Sequence, residues 1–188
     1  MGTLVVTEFV SVDGVFEDPG GAEGYEHGGW TFDYDRGDEG NAFKLDEVMD
    51  AQAHLLGRVT YQGFAEAWPS REGEFADKLN HDPKYVVSTT LHHPSWQNTT
   101  VISGNAAAEI ARLKDATSGV ILVAGSGTLV GTLLADDLVD VLRLMVFPTV
   151  LGRGKRLFPD GIDRLKLRLA DSRPVGPDGV VILTYRAA

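Results

Sequence analysis

With 188 residues, 43% of them hydrophobic, and no cysteine, the chain can bury the core of one domain; disulfides, thiolate metal centres and thiol nucleophiles are excluded. A net charge of −10 argues against a general nucleic-acid binder, which needs a basic face, and no apolar run reaches the roughly 18 residues of a transmembrane helix. Met1-Gly2-Thr3-Leu4 leads straight into a strand-like run without a basic leader, so the expected compartment is the cytoplasm, with no membrane partner.

Leu4 to Val12 is rich in β-branched and aromatic residues and reads as a strand ending at the turn Asp13-Gly14. Glu17 to Asp50 holds eleven acids against Arg36 and Lys44; the glycine-rich part, 17–40, reads as a long solvated loop. If that loop closes over a pocket, its charge disfavours anionic substrates. Phe43, Leu45, Val48 and Met49 predict a short helix over 42–50, and His54-Leu55-Leu56 a buried strand closed by Gly57. A helix follows from near Thr60 to just before Trp68-Pro69, then short strands at Tyr85–Ser88 and Thr99–Ile102. Asn105 is placed to cap a helix through Leu113, and Val120–Ala124 is a continuous apolar strand of the kind covered on both faces. Gly125-Ser126-Gly127 turns the chain into a helix over 128–134, followed by a strand over 139–147 and a basic, glycine-containing loop. The tail predicts a hairpin: 165–170, the turn Gly176-Pro177-Asp178-Gly179, and 180–185. Strands alternating with helices, then strands alone, imply one α/β domain over 1–188 with a mixed sheet.

Val123-Ala124-Gly125-Ser126-Gly127 places small residues between a strand end and a helix start. Such a turn lets a ligand approach the backbone, and the free N–H groups of the helix favour an anion, although geometry alone can also demand glycine there. A Rossmann fingerprint needs glycine where Val130 stands, and a nucleophile elbow needs glycine at Ala124 and Thr128, so Ser126 is no hydrolase nucleophile by motif. Leu56-Gly57-Arg58-Val59-Thr60 repeats the strand–glycine–helix logic, with an arginine whose planar fork suits phosphate. Val87-Ser88-Thr89-Thr90 puts hydroxyls after a strand end, where they commonly form turns. The five histidines show no metal-binding spacing, so no metal site is expected.

Together, Ser11-Val12-Asp13-Gly14, Leu56-Gly57-Arg58-Val59-Thr60-Tyr61, Val87-Ser88-Thr89-Thr90, Ala124–Leu129 and Pro148–Phe158 resemble the dihydrofolate reductase-like superfamily. The nearest likeness is its bacterial branch related to the C-terminal reductase domain of riboflavin biosynthesis. That resemblance implies a mixed sheet of about eight strands with flanking helices and a C-terminal hairpin, binding NADPH across its strand ends. It implies that Gly57, Arg58 and Thr60 hold phosphate, and that Ser88 and Thr89 meet the adenosine 2′-phosphate. Gly125, Ser126, Gly127, Thr128 and Leu129 would run under the pyrophosphate and nicotinamide. Asp13, Gly14, Val15 and Phe16 would form a flexible loop beside the nicotinamide, with Trp30 in a lid facing the substrate. Two positions depart from the pattern: Thr7 stands where riboflavin-type reductases carry a lysine, and Asp46 and Glu47 do not align with the pterin-binding carboxylate. The implied activity is an NADPH-dependent reduction of a small heterocyclic or carbonyl-like acceptor. The riboflavin-pathway aminouracil reductase and a non-catalytic nucleotide sensor are the alternatives. Glu8, a carboxyl within an apolar strand, and Asp13 are the candidate proton sources, and a homodimer is expected from the resemblance alone.

Overall fold

Aliphatic and β-branched residues dominate the runs that become strands, and the strands join in one eight-stranded sheet. The computed structural model describes residues 1–187. The strands are β1 Thr3–Ser11, β2 Ala51–Gly57, β3 Lys84–Val87, β4 Thr99–Ile102, β5 Val120–Ala124, β6 Val141–Phe147, β7 Leu167–Val175 and β8 Val180–Ala187. Their order is β4-β3-β2-β5-β1-β6-β8-β7. The β2–β3, β3–β4 and β2–β5 ladders are parallel, whereas β6–β8 and β7–β8 are antiparallel, which makes the sheet mixed as expected. The helices are α1 Gly37–Asp50, α2 Arg58–Ala67, α3 Glu74–His81, α4 Ala106–Ala116 and α5 Gly127–Ala135. No described helix is long and apolar enough to cross a membrane.

By the density of its contacts the chain divides into two units: Met1–Val6 with Lys44–Asp140, and Thr7–Phe43 with the residues from Val141 onward. The first unit is parallel α/β. Its core comes from both faces of β2 and β5, where Leu55, Leu56, Ile121, Leu122 and Val123 are buried, and from Ile110 of α4 and Leu133 of α5. Asn105 caps α4 as predicted, its Oδ1 accepting from Ala108 N at 3.2 Å. Helix α3 is not among the elements predicted from the sequence: it is eight residues long and buries Ala76 and Leu79.

Lys84, at the start of β3, is fully buried. Its ammonium donates to the carbonyls of Leu79, Asn80 and Asp82 at the C-terminal end of α3 and lies 4.4 Å from the Trp96 ring centroid. Burial pulls its pKa down from the ordinary lysine value to about 8, against the attraction of Asp82. Above about pH 8 the folded chain has released a proton that the unfolded chain still holds, so this residue's contribution to stability rises with pH up to the ordinary lysine range. Below that window both states are charged and the burial penalty is fully in force. Relative to Lys84→Met, the wild type should therefore gain about 2 kcal/mol between about pH 7.5 and about pH 9.5 in urea titrations. A constant difference would show that the ammonium keeps its ordinary affinity for protons.

The second unit packs Trp30, Met145, Phe147, Val175, Val180 and Ile182 into one cluster. Phe9, Trp30 and Tyr34 each meet Phe147 edge-on, with ring centroids 5.5–6.0 Å apart. The guanidinium groups of Arg143 and Arg173 each lie 5.6 Å from the Phe43 ring centroid. The stretch expected as a solvated loop is more ordered than its composition suggests. A 3-10 turn forms over Trp30–Asp33, and α1 begins at Gly37 rather than 42. Asp18 is buried at 2% exposure; its carboxylate accepts from Ala22 N and Tyr25 N, and its carbonyl from Gly21 N and Gly29 N. The hairpin is also longer than predicted, since residues 168–174 of β7 are all exposed and lack the alternation that marks a half-buried strand.

Candidate functional site

Two strand-to-helix turns come together in the first unit. Strands β2 and β5 are parallel neighbours with Leu55 opposite Val123, so Gly57 and Gly125 leave the sheet side by side. A Cβ on Gly57 would stand 3.0 Å from Ser126 Cβ and Oγ, and one on Gly125 would stand 3.2 Å from Thr60 Oγ1 and Cγ2. Gly125 also has φ +69°, which favours glycine. Ser126 follows it in the left-handed region at φ 73° and N-caps α5, yet its hydroxyl does not cap that helix. Ser126 Oγ instead accepts from Gly57 N at 2.8 Å and donates to Thr60 Oγ1 at 2.8 Å. One hydroxyl thus joins the two turns.

The consequence is electrostatic. Neither α2, whose N-cap is Gly57, nor α5, whose N-cap is Ser126, has a side-chain cap, in contrast to α4 with Asn105. The first-turn N–H groups of both helices, on Arg58 to Thr60 and Gly127 to Leu129, therefore keep their donor capacity at one end of the sheet. Arg58 is exposed and its Nη1 donates to Gln62 Oε1 at 2.8 Å along the helix, an interaction that a competing anion can replace. Thr128 is exposed and Leu129 buried. Two converging helix N-termini with an arginine beside them suit a diphosphate.

The β3 end lies next in the sheet, Val87 being paired with Gly57. Ser88 is buried and its Oγ accepts from Thr90 N at 3.1 Å and Leu91 N at 3.0 Å, so this hydroxyl builds the turn. Thr89 is exposed beside it.

Asp13, Phe16, Trp30 and Glu8 lie in the second unit, Asp46 and Glu47 in the first. Asp13, expected in a flexible loop and as a proton source, is a clamp. Its Oδ1 accepts from Ser11 Oγ at 2.6 Å and Leu151 N at 3.1 Å, and its Oδ2 from Gly152 N at 2.8 Å. Burial pushes its pKa up, but the Ser11 hydroxyl and the Gly152 and Leu151 amides outweigh it and hold the carboxyl below the usual range. An ionised carboxylate of that kind has no proton to give near neutrality. The segment it begins is likewise held, by Phe16 N to Lys155 O, Leu157 N to Gly14 O, and the Glu17–Lys155 ion pair at 2.9 Å. Phe16 is half-buried. Trp30, placed by resemblance in a substrate-facing lid, has its indole inside the aromatic cluster at 3% exposure, with Nε1 donating to Glu17 O. Glu8 is buried on β1 at 5% exposure. Of the two acids on α1, Asp46 is exposed, whereas Glu47 is buried and ion-paired with Lys44 at 2.6 Å.

Sequence reasoning missed the two roles of Ser126 and the organising role of Asp18. A serine between two glycines at a strand end and an aspartate before Pro19 were the available signals. Among the described residues, no group of three or more His, Asp or Glu side chains could hold a metal ion.

A family model described as the RibD C-terminal domain matches residues 2–181. The uncharacterized protein YyaP of Bacillus subtilis is 31% identical over 136 residues, 70% of this chain and 71% of that protein. Among solved structures, a putative riboflavin biosynthesis protein from Shewanella sp. PV-4 superposes with a TM-score of 0.78 at 20% identity, covering 99% of each chain. Dihydrofolate reductase from Enterococcus faecalis, solved in complex with NADP(H), superposes with a TM-score of 0.63 at 17% identity over 98% of this chain and 96% of that one. Likeness at these identities concerns the fold, and it is the fold that the sequence motifs implied.

Proposed function

Because the chain belongs to the RibD C-terminal domain family, we propose that it is an NADPH-dependent reductase acting on a small heterocyclic or carbonyl-like acceptor. The observation that carries the reading is the pair of uncapped helix N-termini, α2 and α5, tied by Ser126 into one donor surface. The fit to a dinucleotide rests on that donor set. Amides of Arg58 to Thr60 and Gly127 to Leu129 would hold the diphosphate, the Arg58 guanidinium a further phosphate oxygen, and Thr89 the neighbouring ribose phosphate. When bound, NADPH would supply a hydride to the acceptor carbon; the acceptor's heteroatom then needs a proton. With Asp13 committed to its clamp, Glu8 is the residue we assign to hold that proton, from its buried place on β1.

Fluorescence titration with NADPH and NADH tests the first part: saturable binding, tighter for NADPH, is expected, and no binding of either would overturn the reading. Glu8→Gln tests the second. Turnover should fall by about 100-fold with NADPH affinity unchanged, since a positioned acid contributes at least about that factor. Unchanged turnover and pH profile would remove Glu8 from the mechanism.

A further inference from the structure

We propose that Arg36 recognises an anionic group on the substrate, a carboxylate or a phosphate monoester, through its guanidinium fork. Naming the anion as the substrate's rests on the reductase reading; the presence of the site does not.

Four features of the second unit build this arginine into place. Its backbone is backed by the β7–β8 turn, where a Cβ on Gly176 would fall 2.3 Å from Asp35 O and 2.4 Å from the Arg36 carbonyl carbon. Asp178 Oδ2 accepts from Asp35 N at 2.6 Å and locks the same contact. The aliphatic stem runs against α1 where Gly40 makes room, since a Cβ there would stand 2.9 Å from Arg36 Cβ and 3.0 Å from Cγ. The guanidinium sits 5.4 Å from the Phe9 ring centroid, and its Nε donates to Asn41 Oδ1 at 2.7 Å.

That arrangement fixes the plane of the group and uses only one of its nitrogens. Nη1 and Nη2 make no hydrogen bond to any described residue, and no described carboxylate lies within ion-pair distance, although Asp33, Asp35, Asp38 and Glu39 are close in sequence. Burial works against the charge and lowers the pKa of the group. A cation that is half-buried, oriented and left with an open two-nitrogen edge matches a planar or tetrahedral oxyanion, which takes two parallel N–H bonds. The expectation from charge alone, that the 17–50 stretch repels anions, is reversed at this one point.

The test reads Arg36 directly. Its Nε–Hε resonance, identified by its absence from Arg36→Gln, is followed while the whole protein is titrated with benzoate, phenyl phosphate and the neutral benzamide. A saturable shift with benzoate marks a carboxylate site and one with phenyl phosphate a phosphate site; either supports the assignment. Ligand line-broadening should show at least tenfold weaker binding to Arg36→Gln and an intermediate loss for Arg36→Lys, which keeps the charge without the fork. Silence with both anions, or an equal response to benzamide, overturns it. NADPH titration of the same sample separates the two ideas. Anion binding at Arg36 without NADPH binding removes the reductase reading and leaves the site, and NADPH binding with a silent Arg36 does the reverse.

Discussion

Gly125→Val is expected to reduce NADPH binding by about 100-fold or more. A β-branched residue in the left-handed region costs on the order of 1–2 kcal/mol before any contact is counted. The new Cβ would also lie 3.2 Å from Thr60 Oγ1 and Cγ2, so Thr60 must retreat and its hydrogen bond with Ser126 is lost. Ser126 Oγ is then free to turn from Gly57 N, and the two helix starts no longer share a fixed spacing. The strain, present in free and bound chain alike, lowers stability, whereas the displaced donors cost about 3 kcal/mol of binding, which is two orders of magnitude in affinity. A fluorescence titration beside a urea titration checks this, since the substitution should lower both affinity and unfolding midpoint. A variant that binds NADPH like the wild type would place the cofactor elsewhere.

The second large effect concerns stability. Gly176→Ala should cost about 3 kcal/mol or more, because its Cβ would enter the backbone of Asp35 and Arg36, at distances of 2.3 and 2.4 Å, with φ at +66°. Backbone cannot swing aside as a side chain can. The β7–β8 turn must back away, and the bond from Asp35 N to Asp178 goes with it. Gly179→Ala in the same turn is the control: φ is +79° but nothing lies within 4 Å of its added carbon. It should lose only about 1 kcal/mol, the backbone cost by itself. Equal urea midpoints for the two variants would mean that the turn does not brace residues 35–36. The Arg36 resonance in Gly176→Ala should also lose its response to anions.

Much of the fold is legible in the sequence wherever burial imposes a period. Val120–Ala124 and Thr99–Ile102 have the predicted bounds, and the helix at Asn105 starts where its cap stands. What escapes is the structure that burial does not pattern. Helix α3 has two buried residues, β7 is exposed along 168–174, and the first turn of α1 hides behind Gly37 and Gly40, residues that read as loop. The site divides in the same way. Gly57 and Gly125 announce themselves, because glycine at a strand end leaves a mark in any sequence. That Ser126 spans both turns and that Asp13 is a clamp are facts of hydrogen-bond geometry, whereas the turn-forming role of Ser88 is already legible in its place after a strand end. The resemblance implies a flexible loop at Asp13-Gly14 and a lid at Trp30, whereas Ser11, Leu151 and Gly152 tie down the aspartate and the Phe147 cluster encloses the indole. Local sequence cannot distinguish such a residue from a free one, since Leu151 and Gly152 lie more than a hundred positions from Asp13.

The place of β1 in the strand order has a consequence for biosynthesis. Strand β1 leaves the ribosome before both of its neighbours in the sheet, β5 and β6, which begin at Val120 and Val141. At ordinary translation speeds those partners emerge on the order of ten seconds later. Throughout that wait Leu4, Val5, Val6 and Val10, all buried in the finished sheet, have no strand to pair with. The nascent β1 segment is therefore a natural client for a chaperone that shields extended apolar segments. Slowing translation between the codons for Ser11 and Val120 should lengthen its exposure and lower the yield of soluble chain, whereas a pause after the codon for Phe147 should have little effect.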